Sequence, residues 1–281
     1  MSQALPDLLL EPLIRAALIE DLGPSGDITT RLVIPAGTGY RARLNAREGG
    51  VVSGMQLAAI AFRQVDPALI VTLHHPDGSR CAPGDVLMEI EGAAASILSA
   101  ERVALNFAGH LCGIATLTAA FVAQTKGTAT RITCTRKTTP GLRLVEKAAV
   151  QHGGGFSHRF GLSDAILIKD NHIAASGGIR PALQATRAGV SHMMKVEIEV
   201  DTLAQLAEVL DCGGADVVLL DNMTTPMLRQ AVELVAGRLV TEASGNMQLP
   251  RIAEVAATGV DYISSGALTH SAPSLDLGLD F

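Results

Sequence analysis

The residues between positions 133 and 172 concentrate positive charge in a chain that is otherwise acidic. The sequence of 281 residues has 22 Lys and Arg against 28 Asp and Glu, a formal net charge of −6. Cations that converge on a pocket bind a polyanionic small molecule, because Arg grips a carboxylate or phosphate with two hydrogen bonds and Lys adds a mobile point charge. We therefore predict an anion site, with candidate cations Arg136, Lys137, Arg143, Lys147, His158, Arg159 and Lys169.

Three acidic residues in apolar, strand-like runs form the counterpart of these cations. Glu197 and Glu199 are two positions apart in the run VEIEV, so they share one face of a β-strand, and Asp221 ends the next run. Carboxylates beside phosphate-binding cations suggest Mg²⁺ or hydrogen bonds to sugar hydroxyls. Ion pairing with neighbouring Lys and Arg residues is the alternative, and the pattern alone leaves both open.

The position of Lys169, at the end of the run AILIKD, allows two kinds of chemistry. A lysine at the end of a barrel strand can form a Schiff base with a carbonyl substrate, or it can act as an electrostatic clamp on an anion. The other cations nearby favour anion binding.

Small residues end the last two runs, at 242–246 and 264–267, and their free backbone N–H groups are typical of a phosphate site.

The second part of the chain alternates short β-branched runs with helical stretches at 179–189, 203–213 and 225–237. Repeated βα units predict a parallel sheet, and their number allows an α/β barrel. Active sites of barrels form at the C-terminal ends of the strands, whereas a doubly wound sheet would use only some of them. Five successive runs end in polar residues, which favours the barrel; these are Lys169, Glu199, Asp221, Ser244 and Ser264.

The first part of the chain is mixed α and β in pattern. We expect an amphipathic helix near the N-terminus, a turn and a strand at 26–35, and two strands around a turn at 48–50. A helix is expected at 55–65. A hairpin-like pair of strands follows, with Asp77-Gly78 as its turn signal.

A long helical region over about 96–124 contains Gly109 and Gly113, and we expect these glycines to interrupt the helix. We place the domain boundary there. The predicted domains are 1–112 and 113–269, and the tail 270–281 is expected to pack on the first domain.

Composition argues against several classes of function. With 48% hydrophobic and 18% charged residues the chain can bury a core, and its negative net charge gives no general attraction to nucleic acid or anionic lipid. Aromatic residues make up only 3%, too few for a surface on which the bases of single-stranded nucleic acid stack. The four cysteines show neither a zinc spacing nor a disulfide framework, so we expect a cytoplasmic location. We interpret the N-terminal run as an amphipathic helix rather than a signal peptide or membrane span.

Long and specific motifs occur in a fixed order along the chain. They are TRKTTPGLR at 135–143, EKAAVQHGGGFSHRFGLSDAILIKDNHI at 146–173, VEIEVDTL at 196–203, LLDNM at 219–223, EASGN at 242–246 and GVDYISSGALTHS at 259–271. Together with shorter stretches at 20–30 and 100–107, they resemble the quinolinate phosphoribosyltransferase family, also called nicotinate-nucleotide pyrophosphorylase (carboxylating). The resemblance implies an α/β fold with an N-terminal α/β sandwich domain and a C-terminal, incomplete TIM-like α/β barrel.

The resemblance also implies a reaction. A phosphoribosyl group would pass from 5-phosphoribosyl 1-diphosphate to quinolinate with decarboxylation, giving nicotinate mononucleotide, diphosphate and CO₂ in NAD biosynthesis. Mg²⁺ would be required, and the active sites of a homodimer would take residues from both subunits. No further cofactor is needed on this interpretation, because the ribosylated pyridinium ring can accept the electrons left by departing CO₂.

Individual roles follow from the resemblance. The quinolinate carboxylates would be held by Arg136, His158, Arg159 and Lys169. Lys137 would border the diphosphate, Thr135 would also contact substrate, and Arg102 would reach in from the partner subunit. Glu199 and Asp221 would hold the ribose hydroxyls and the metal. The 5′-phosphate would be cradled by Ser244, Gly245, Asn246, Ser265 and Gly266.

The catalytic candidates among these residues are Lys137, Lys169, Glu199 and Asp221. Arg143 and Lys147 are expected at the surface or behind the residues that touch substrate. Many relatives have Asn directly before the His-Arg pair, where this chain has Ser157, and we expect this difference to tune the carboxylate pocket without loss of activity.

Three alternatives remain beside the main interpretation. The chain could be a ModD-like paralogue, a transferase for another anionic ring such as nicotinate, or a non-catalytic binder of phosphorylated metabolites. The number of cations favours a substrate with two carboxylates.

Overall fold

The computed structural model describes residues 4–281, and its contacts divide the chain into two compact units. The first unit runs to Ala119 and also contains residues 139–154 and 271–281, while the second contains residues 120–138 and 155–270. The division after Ala119 lies seven residues beyond the predicted boundary at 112/113, and both positions fall within one helix that is continuous from Ala94 to Ala123. The placement of residues 139–154 also differs from the prediction, since we expected them in the barrel domain and they belong to the first unit.

The first unit combines helices with a mainly antiparallel sheet. Its helices are α1 (Asp7–Leu22), α2 (Ile28–Val33), α3 (Met55–Val65), α4 (Ala94–Ala123) and α5 (Arg143–His152), with a 3₁₀ turn at Gly23–Ser25. Its strands are β1 (Gly39–Ala46), β2 (Gly50–Val51), β3 (Ile70–Leu73), β4 (Arg80–Cys81), β5 (Val86–Ala93) and, at the C-terminus, β12 (Leu277–Asp280). One antiparallel sheet has the order β12-β1-β5-β3, and β2 pairs with β4.

Helices α1 and α3 agree with the sequence pattern. In α1, buried Leu10, Ile14 and Leu18 recur every four residues and form the face that packs against α3. Helix α3 has the predicted bounds, and the Asp77 carboxylate accepts a 2.9 Å hydrogen bond from the N–H of Met55 at its first turn. The predicted hairpin-like pair is confirmed by the antiparallel pairing of β3 with β5.

The strand predicted at 26–35 is wrong, because this segment contains helix α2. Its β-branched residues suggested a strand, but Asp27 directly precedes the helix and accepts a 2.9 Å hydrogen bond from the N–H of Thr30. This is the N-cap arrangement that satisfies a donor of the first helical turn. The hydrogen bonds from Thr30 also lower the pKa of Asp27.

The C-terminal segment packs closely on helix α4. Strand β12 pairs with β1, and the N–H of Leu275 donates to the carbonyl oxygen of Gly109 at 2.9 Å. A Cβ at Gly113 would overlap the carbonyl oxygen of Pro273. The two glycines therefore admit the backbone of the tail against the helix and do not end it, which corrects the predicted interruption.

The second unit is built from βα repeats. Its strands are β6 (Arg131–Thr133), β7 (Ile166–Ile168), β8 (Val196–Val200), β9 (Val217–Asp221), β10 (Val240–Ser244) and β11 (Tyr262–Ser264). Its helices are α6 (Asp170–Ser176), α7 (Ile179–Gly189), α8 (Leu203–Cys212), α9 (Thr225–Val235), α10 (Leu249–Ala256) and α11 (Ala267–His270). All six predicted strands of this part and the three predicted helices are confirmed.

The six strands form one parallel sheet in the order β6-β11-β10-β9-β8-β7. Strands β6 and β7 are its two edges, so the barrel is incomplete, and the predicted α/β class is confirmed. On β8 the residues Val196, Ile198 and Val200 are buried, and helix α8 packs on this strand. The alternate positions Glu197 and Glu199 therefore face the interior of the open barrel.

Helix α4 is long and apolar enough to cross a membrane by length and composition alone. Its most apolar window has a mean hydropathy of 1.5, and 61% of that window is buried inside the structure. The core accounts for this apolar composition, as it does for the central helices of many proteins.

We predict that Gly113→Ala destabilises the protein by about 1–3 kcal/mol, because the added Cβ displaces the Pro273 backbone from α4. Thermal unfolding followed by circular dichroism should show a lower Tm. Gly189→Ala is the matched control, since Gly189 ends α7 and a Cβ there meets no atom within 4 Å. Equal Tm values for the two variants would contradict the packing of the tail on α4.

Candidate active site

A cavity of about 410 Å³ opens at the C-terminal ends of the parallel strands. Lys169 directly follows β7, Glu199 lies near the end of β8, and Asp221 and Ser244 end β9 and β10. Other residues come from the segments after β6 and before β7. The cavity brings together most of the predicted site, namely Thr135, Arg136, Lys137, His158, Arg159, Lys169, Glu199, Asp221 and Ser244.

The positive side of the cavity contains two arginines whose donors are not all used. Nη1 of Arg159 donates to the carbonyl oxygen of Ala165 at 3.0 Å. The Nε groups of Arg136 and Arg159 are buried and have no hydrogen-bond partner within residues 4–281. Burial and the neighbouring charge of Arg136 lower the pKa of Arg159. Buried guanidinium N–H donors without an acceptor are costly, and an anion in the cavity could accept from both of these arginines.

Lys169 and two carboxylates form the other side of the cavity. Nζ of Lys169 lies 3.7 Å from Oε2 of Glu199. Burial raises the pKa of Glu199, and the positive charge of Lys169 partly opposes this effect. Burial also raises the pKa of Asp221, with a further contribution from the charge of Asp201. The carboxylates therefore lie in a site where a second cation would favour their charged forms.

Asp201 is a site residue that the sequence analysis missed. Carboxylate oxygens of Glu199, Asp201 and Asp221 all lie within 4.8 Å of one another. Asp201 follows Glu199 by two positions, so the alternation along β8, continued one step beyond the apolar run, would have indicated it. Three carboxylates from neighbouring strand ends are suitable ligands for a divalent cation such as Mg²⁺.

Deeper in the barrel, His158, Glu197 and Glu242 form a cluster that we call the interior layer. Nε2 of His158 lies 3.0 Å from Oε2 of Glu197 and 3.7 Å from Oε1 of Glu242. Burial, and then the charge of Glu197, raise the pKa of Glu242 to about 7. Glu242 was not among the predicted site residues, although its position two residues before Ser244 places both on one face of β10.

The interior layer separates two openings of the barrel. A second cavity, of about 370 Å³, is lined by residues at the N-terminal ends of the strands, including Lys195, Val217 and Tyr262. His158 and Glu242 line both this cavity and the one that holds the predicted site. The layer is therefore the floor of the candidate active site.

The residues predicted to bind the 5′-phosphate differ in their backbone geometry and in whether they line the cavity. After Ser244, Gly245 and Asn246 have positive φ angles of 90° and 50°, so the chain turns sharply at the end of β10. Ser265 donates its N–H to the carbonyl oxygen of Thr133 and its hydroxyl to that of Met247. Ser264, the last residue of β11, lines the cavity, whereas Ser265 is not among its lining residues and donates to Met247 and Thr133 instead.

Gly266 lies directly after these serines and has a packing role. A Cβ at this position would come within 2.9 Å of Cδ of Lys137 and 3.1 Å of the His270 ring. Glycine therefore allows the Lys137 side chain to pass close to the backbone after β11.

Three of the predicted cations belong to the first unit and do not line the cavity. Arg102 lies in α4 with 64% of its side chain exposed. Arg143 begins α5, and Lys147 in the same helix is fully buried, so of the two expected positions for Lys147 the surface one does not apply. A buried lysine depends on compensation by groups distant in sequence, which composition and spacing do not reveal.

The fold and the cavity together define an α/β-barrel protein with a cavity at the C-terminal ends of its strands that is lined by several basic side chains. Residues 27–112 match the family model of the N-terminal domain of quinolinate phosphoribosyl transferase, and residues 114–280 match that of the C-terminal domain. The chain belongs to the quinolinate phosphoribosyltransferase family.

Individual relatives are similar over almost the whole chain. The chain is 44% identical to quinolinate phosphoribosyltransferase [decarboxylating] 1 of Nicotiana glauca, over 98% of this chain and 83% of that protein. It is 41% identical to a probable nicotinate-nucleotide pyrophosphorylase [carboxylating] of Bacillus subtilis, over 97% and 93% of the two chains. The solved structure of NadC from Streptococcus pyogenes, 41% identical, superposes with a TM-score of 0.95 over 100% of this chain and 98% of that one.

We predict that Lys169→Gln raises the pKa of Glu199 further, because loss of the lysine charge leaves the effects of burial and Asp221 unopposed. A carboxyl-carbon NMR titration should show Glu199 losing its proton at higher pH than in the wild type.

Lys195→Gln is the matched control for this titration. Lys195 precedes β8 and pairs with Asp216 at 3.4 Å, at the opposite end of the strand from Glu199. It should leave the Glu199 titration unchanged. If Lys169→Gln also leaves it unchanged, the pairing of Lys169 with Glu199 is refuted.

Proposed function

We propose that this protein transfers the phosphoribosyl group of 5-phosphoribosyl 1-diphosphate to quinolinate, releasing diphosphate and CO₂ and forming nicotinate mononucleotide in NAD biosynthesis. The names of its relatives support this activity. The observation that carries the proposal is the pair Arg136 and Arg159, with buried unused donors, in one cavity with Lys169. An acid with carboxylates on adjacent ring atoms can accept from all three cations, whereas a single carboxylate leaves donors unpaired.

In the proposed mechanism the cations first orient the ring. Arg136, Arg159 and Lys169 would hold quinolinate with its ring nitrogen facing the anomeric carbon of the donor. The nitrogen–carbon bond forms as the carbon–oxygen bond to diphosphate breaks, and Lys137 would stabilise the leaving group. Glu199 would bind ribose hydroxyls and stabilise positive charge at the anomeric carbon.

Decarboxylation follows from the charge created by ribosylation. The bond between the ring and the carboxylate next to the nitrogen breaks, CO₂ leaves, and the electron pair remains on a ring carbon adjacent to the cationic nitrogen. A proton then replaces the lost carboxylate. The part of the protein is to hold the ring and exclude water, because a dry site strengthens the electrostatic stabilisation of the intermediate.

We propose Mg²⁺ as the metal of this site. Glu199, Asp201 and Asp221 would hold it, and their clustered oxygens and the pKa-raising burial of Glu199 and Asp221 fit a cation. When bound, Mg²⁺ would offset the negative charge of the diphosphate group.

We also propose a homodimer in which Arg102 completes the site of the partner subunit. The Arg102 side chain is mostly exposed, and it is not among the residues that line the cavity of its own chain. Helix α2 buries only Thr30, while Leu32 and Val33 are 78% and 68% exposed, and Leu8 of α1 is 78% exposed. Exposed apolar surface of this kind is typical of a face that is buried against another subunit.

The function is tested by incubating the protein with the phosphoribosyl donor, Mg²⁺ and either quinolinate or nicotinate. Quinolinate should give nicotinate mononucleotide with equimolar CO₂ and diphosphate, and nicotinate should give no product. Removal of Mg²⁺ with a chelator should stop the reaction, and added Mg²⁺ should restore it. Turnover of nicotinate alone would refute the substrate assignment, and tight binding without CO₂ release would identify a non-catalytic binder.

Substitution of one arginine makes this test specific to the cavity. Arg136→Gln should raise the KM for quinolinate about tenfold or more, because a charge-assisted hydrogen bond to a carboxylate contributes about 1.5–3 kcal/mol. Arg131→Gln is the matched control, since Arg131 begins β6 and stacks over the Phe156 ring, outside the cavity. Equal KM values for the two variants would argue against Arg136 as a quinolinate ligand.

The shared site of the proposed dimer predicts complementation between two inactive variants. Arg102→Ala mixed with Lys169→Ala should regain part of the activity, because one site of each hybrid dimer keeps both residues. Activity is measured after subunit exchange has been verified with differently tagged chains. No recovery in verified hybrids would rule out a role of Arg102 in the partner's site.

A further inference from the structure

The hydrogen bonds of His158 define the state of its ring. Nδ1 accepts a hydrogen bond from the N–H of Arg159 at 2.8 Å, so Nδ1 carries no proton. Nε2 lies 3.0 Å from Oε2 of Glu197, and in a neutral ring this nitrogen carries the proton and donates it. The imidazole is therefore neutral, in the Nε2–H form, and both of its nitrogens are engaged within the protein.

This geometry differs from the role that the family resemblance gives to His158. A ring whose N–H is directed at Glu197 has no second N–H to donate to a quinolinate carboxylate. The ring is instead anchored on the main chain of Arg159, the residue whose guanidinium has an unused buried donor. His158 thus connects the interior acids to the backbone that carries this arginine.

A divalent metal is the competing explanation for the cluster. Nε2 of His158 and carboxylate oxygens of Glu197 and Glu242 lie within 4.8 Å of one another, a distance that a metal could bridge. Coordination through Nε2 would move the ring proton to Nδ1. That position already faces the N–H of Arg159, and two N–H groups cannot hydrogen bond to each other, so the geometry disfavours a metal here.

We propose that Glu197 and Glu242 are positioning residues, which hold His158 in its Nε2–H form and thereby fix the backbone from which Arg159 reaches the quinolinate carboxylate. This inference rests on the proposed function. Glu197 is the direct acceptor, and Glu242 presents a buried oxygen, without a hydrogen-bond partner in the described chain, 3.7 Å from the same nitrogen.

The location of the interior layer predicts which substrate is affected. The layer lies beneath the arginine side of the cavity, while the donor's ribose and metal are assigned to Glu199, Asp201 and Asp221 at the strand ends. Loss of the layer should therefore weaken quinolinate binding and leave binding of the phosphoribosyl donor unchanged. Substitution of a residue that only supports the fold would instead weaken the binding of both substrates.

The first experiment compares two substitutions of Glu197. Glu197→Ala should raise the KM for quinolinate about tenfold through the loss of the acceptor, with the KM for the donor unchanged within about twofold. Glu197→Gln keeps a carbonyl oxygen that can accept from Nε2–H, so it should restore most of the affinity for quinolinate. Ile198→Val is the matched control, since Ile198 is fully buried on the opposite face of β8.

A double-mutant cycle separates action through His158 from direct action of Glu197 on Arg159. In a His158→Ala background, Glu197→Ala should change the KM for quinolinate by less than about twofold, because the residue that it orients is already absent. Additive effects of the two substitutions, or equal damage by Glu197→Ala and Glu197→Gln, would overturn the proposal.

The ring state is measured without any activity. In ¹⁵N-labelled protein the nitrogen shifts of His158, assigned through their loss in His158→Ala, should report the Nε2–H form in the wild type and in Glu197→Gln. A protonated nitrogen at Nδ1 would refute the proposal even if Glu197→Ala fails to fold. If the wild type does not turn over quinolinate, the proposed function fails, whereas the tautomer still decides the geometry on which this inference depends.

Discussion

Two buried carboxylates lie inside the open barrel close to partly buried arginines, and this is the constraint on which the rest of the site depends. Interiors of α/β barrels are usually filled by layers of apolar side chains. Here Glu197 and Glu242 replace part of such a layer, and Glu242 lines the same cavity as Arg136 and Arg159. Burial and the charge of Arg136 lower the pKa of Arg159, and the negative charge of Glu197 opposes part of this lowering. The acidic floor therefore makes a dense cationic site compatible with folding.

The route of the chain explains how the cations come together. Arg136 and Lys137 follow β6, and His158 and Arg159 follow the segment that returns after α5, which belongs to the other unit. The return is fixed by a parallel bridge between Thr133 and Phe156, in which Phe156 donates its N–H to Ile132 at 2.8 Å. Two residues later the chain reaches His158 of the interior layer, and the next residue is Arg159. One short backbone bridge thus sets the position of both residues.

The fold was predictable wherever local periodicity coincided with tertiary contacts. The six strands of the second unit and helices α1 and α3 follow from apolar patterns that the packing reinforces. Prediction failed at α2, where a cap at Asp27 outweighs β-branched residues, and at α4, whose glycines serve the tail. In the candidate site, the residues at the strand ends could be predicted to lie together, because barrel geometry brings them to one edge. Asp201 and Glu242 were missed although alternation places them on the same faces.

The sequence by itself determined the class of fold, the family resemblance and the set of strand-end residues, because these depend on residue order and on the period of each element. Only the tertiary structure decided which charges face one another. It placed Lys147 in the core, directed Ser265 away from the cavity, and turned the His158 ring toward Glu197. Such choices depend on contacts between residues far apart in sequence and on burial, which sets pKa values and hydrogen bonds, and no local pattern records them.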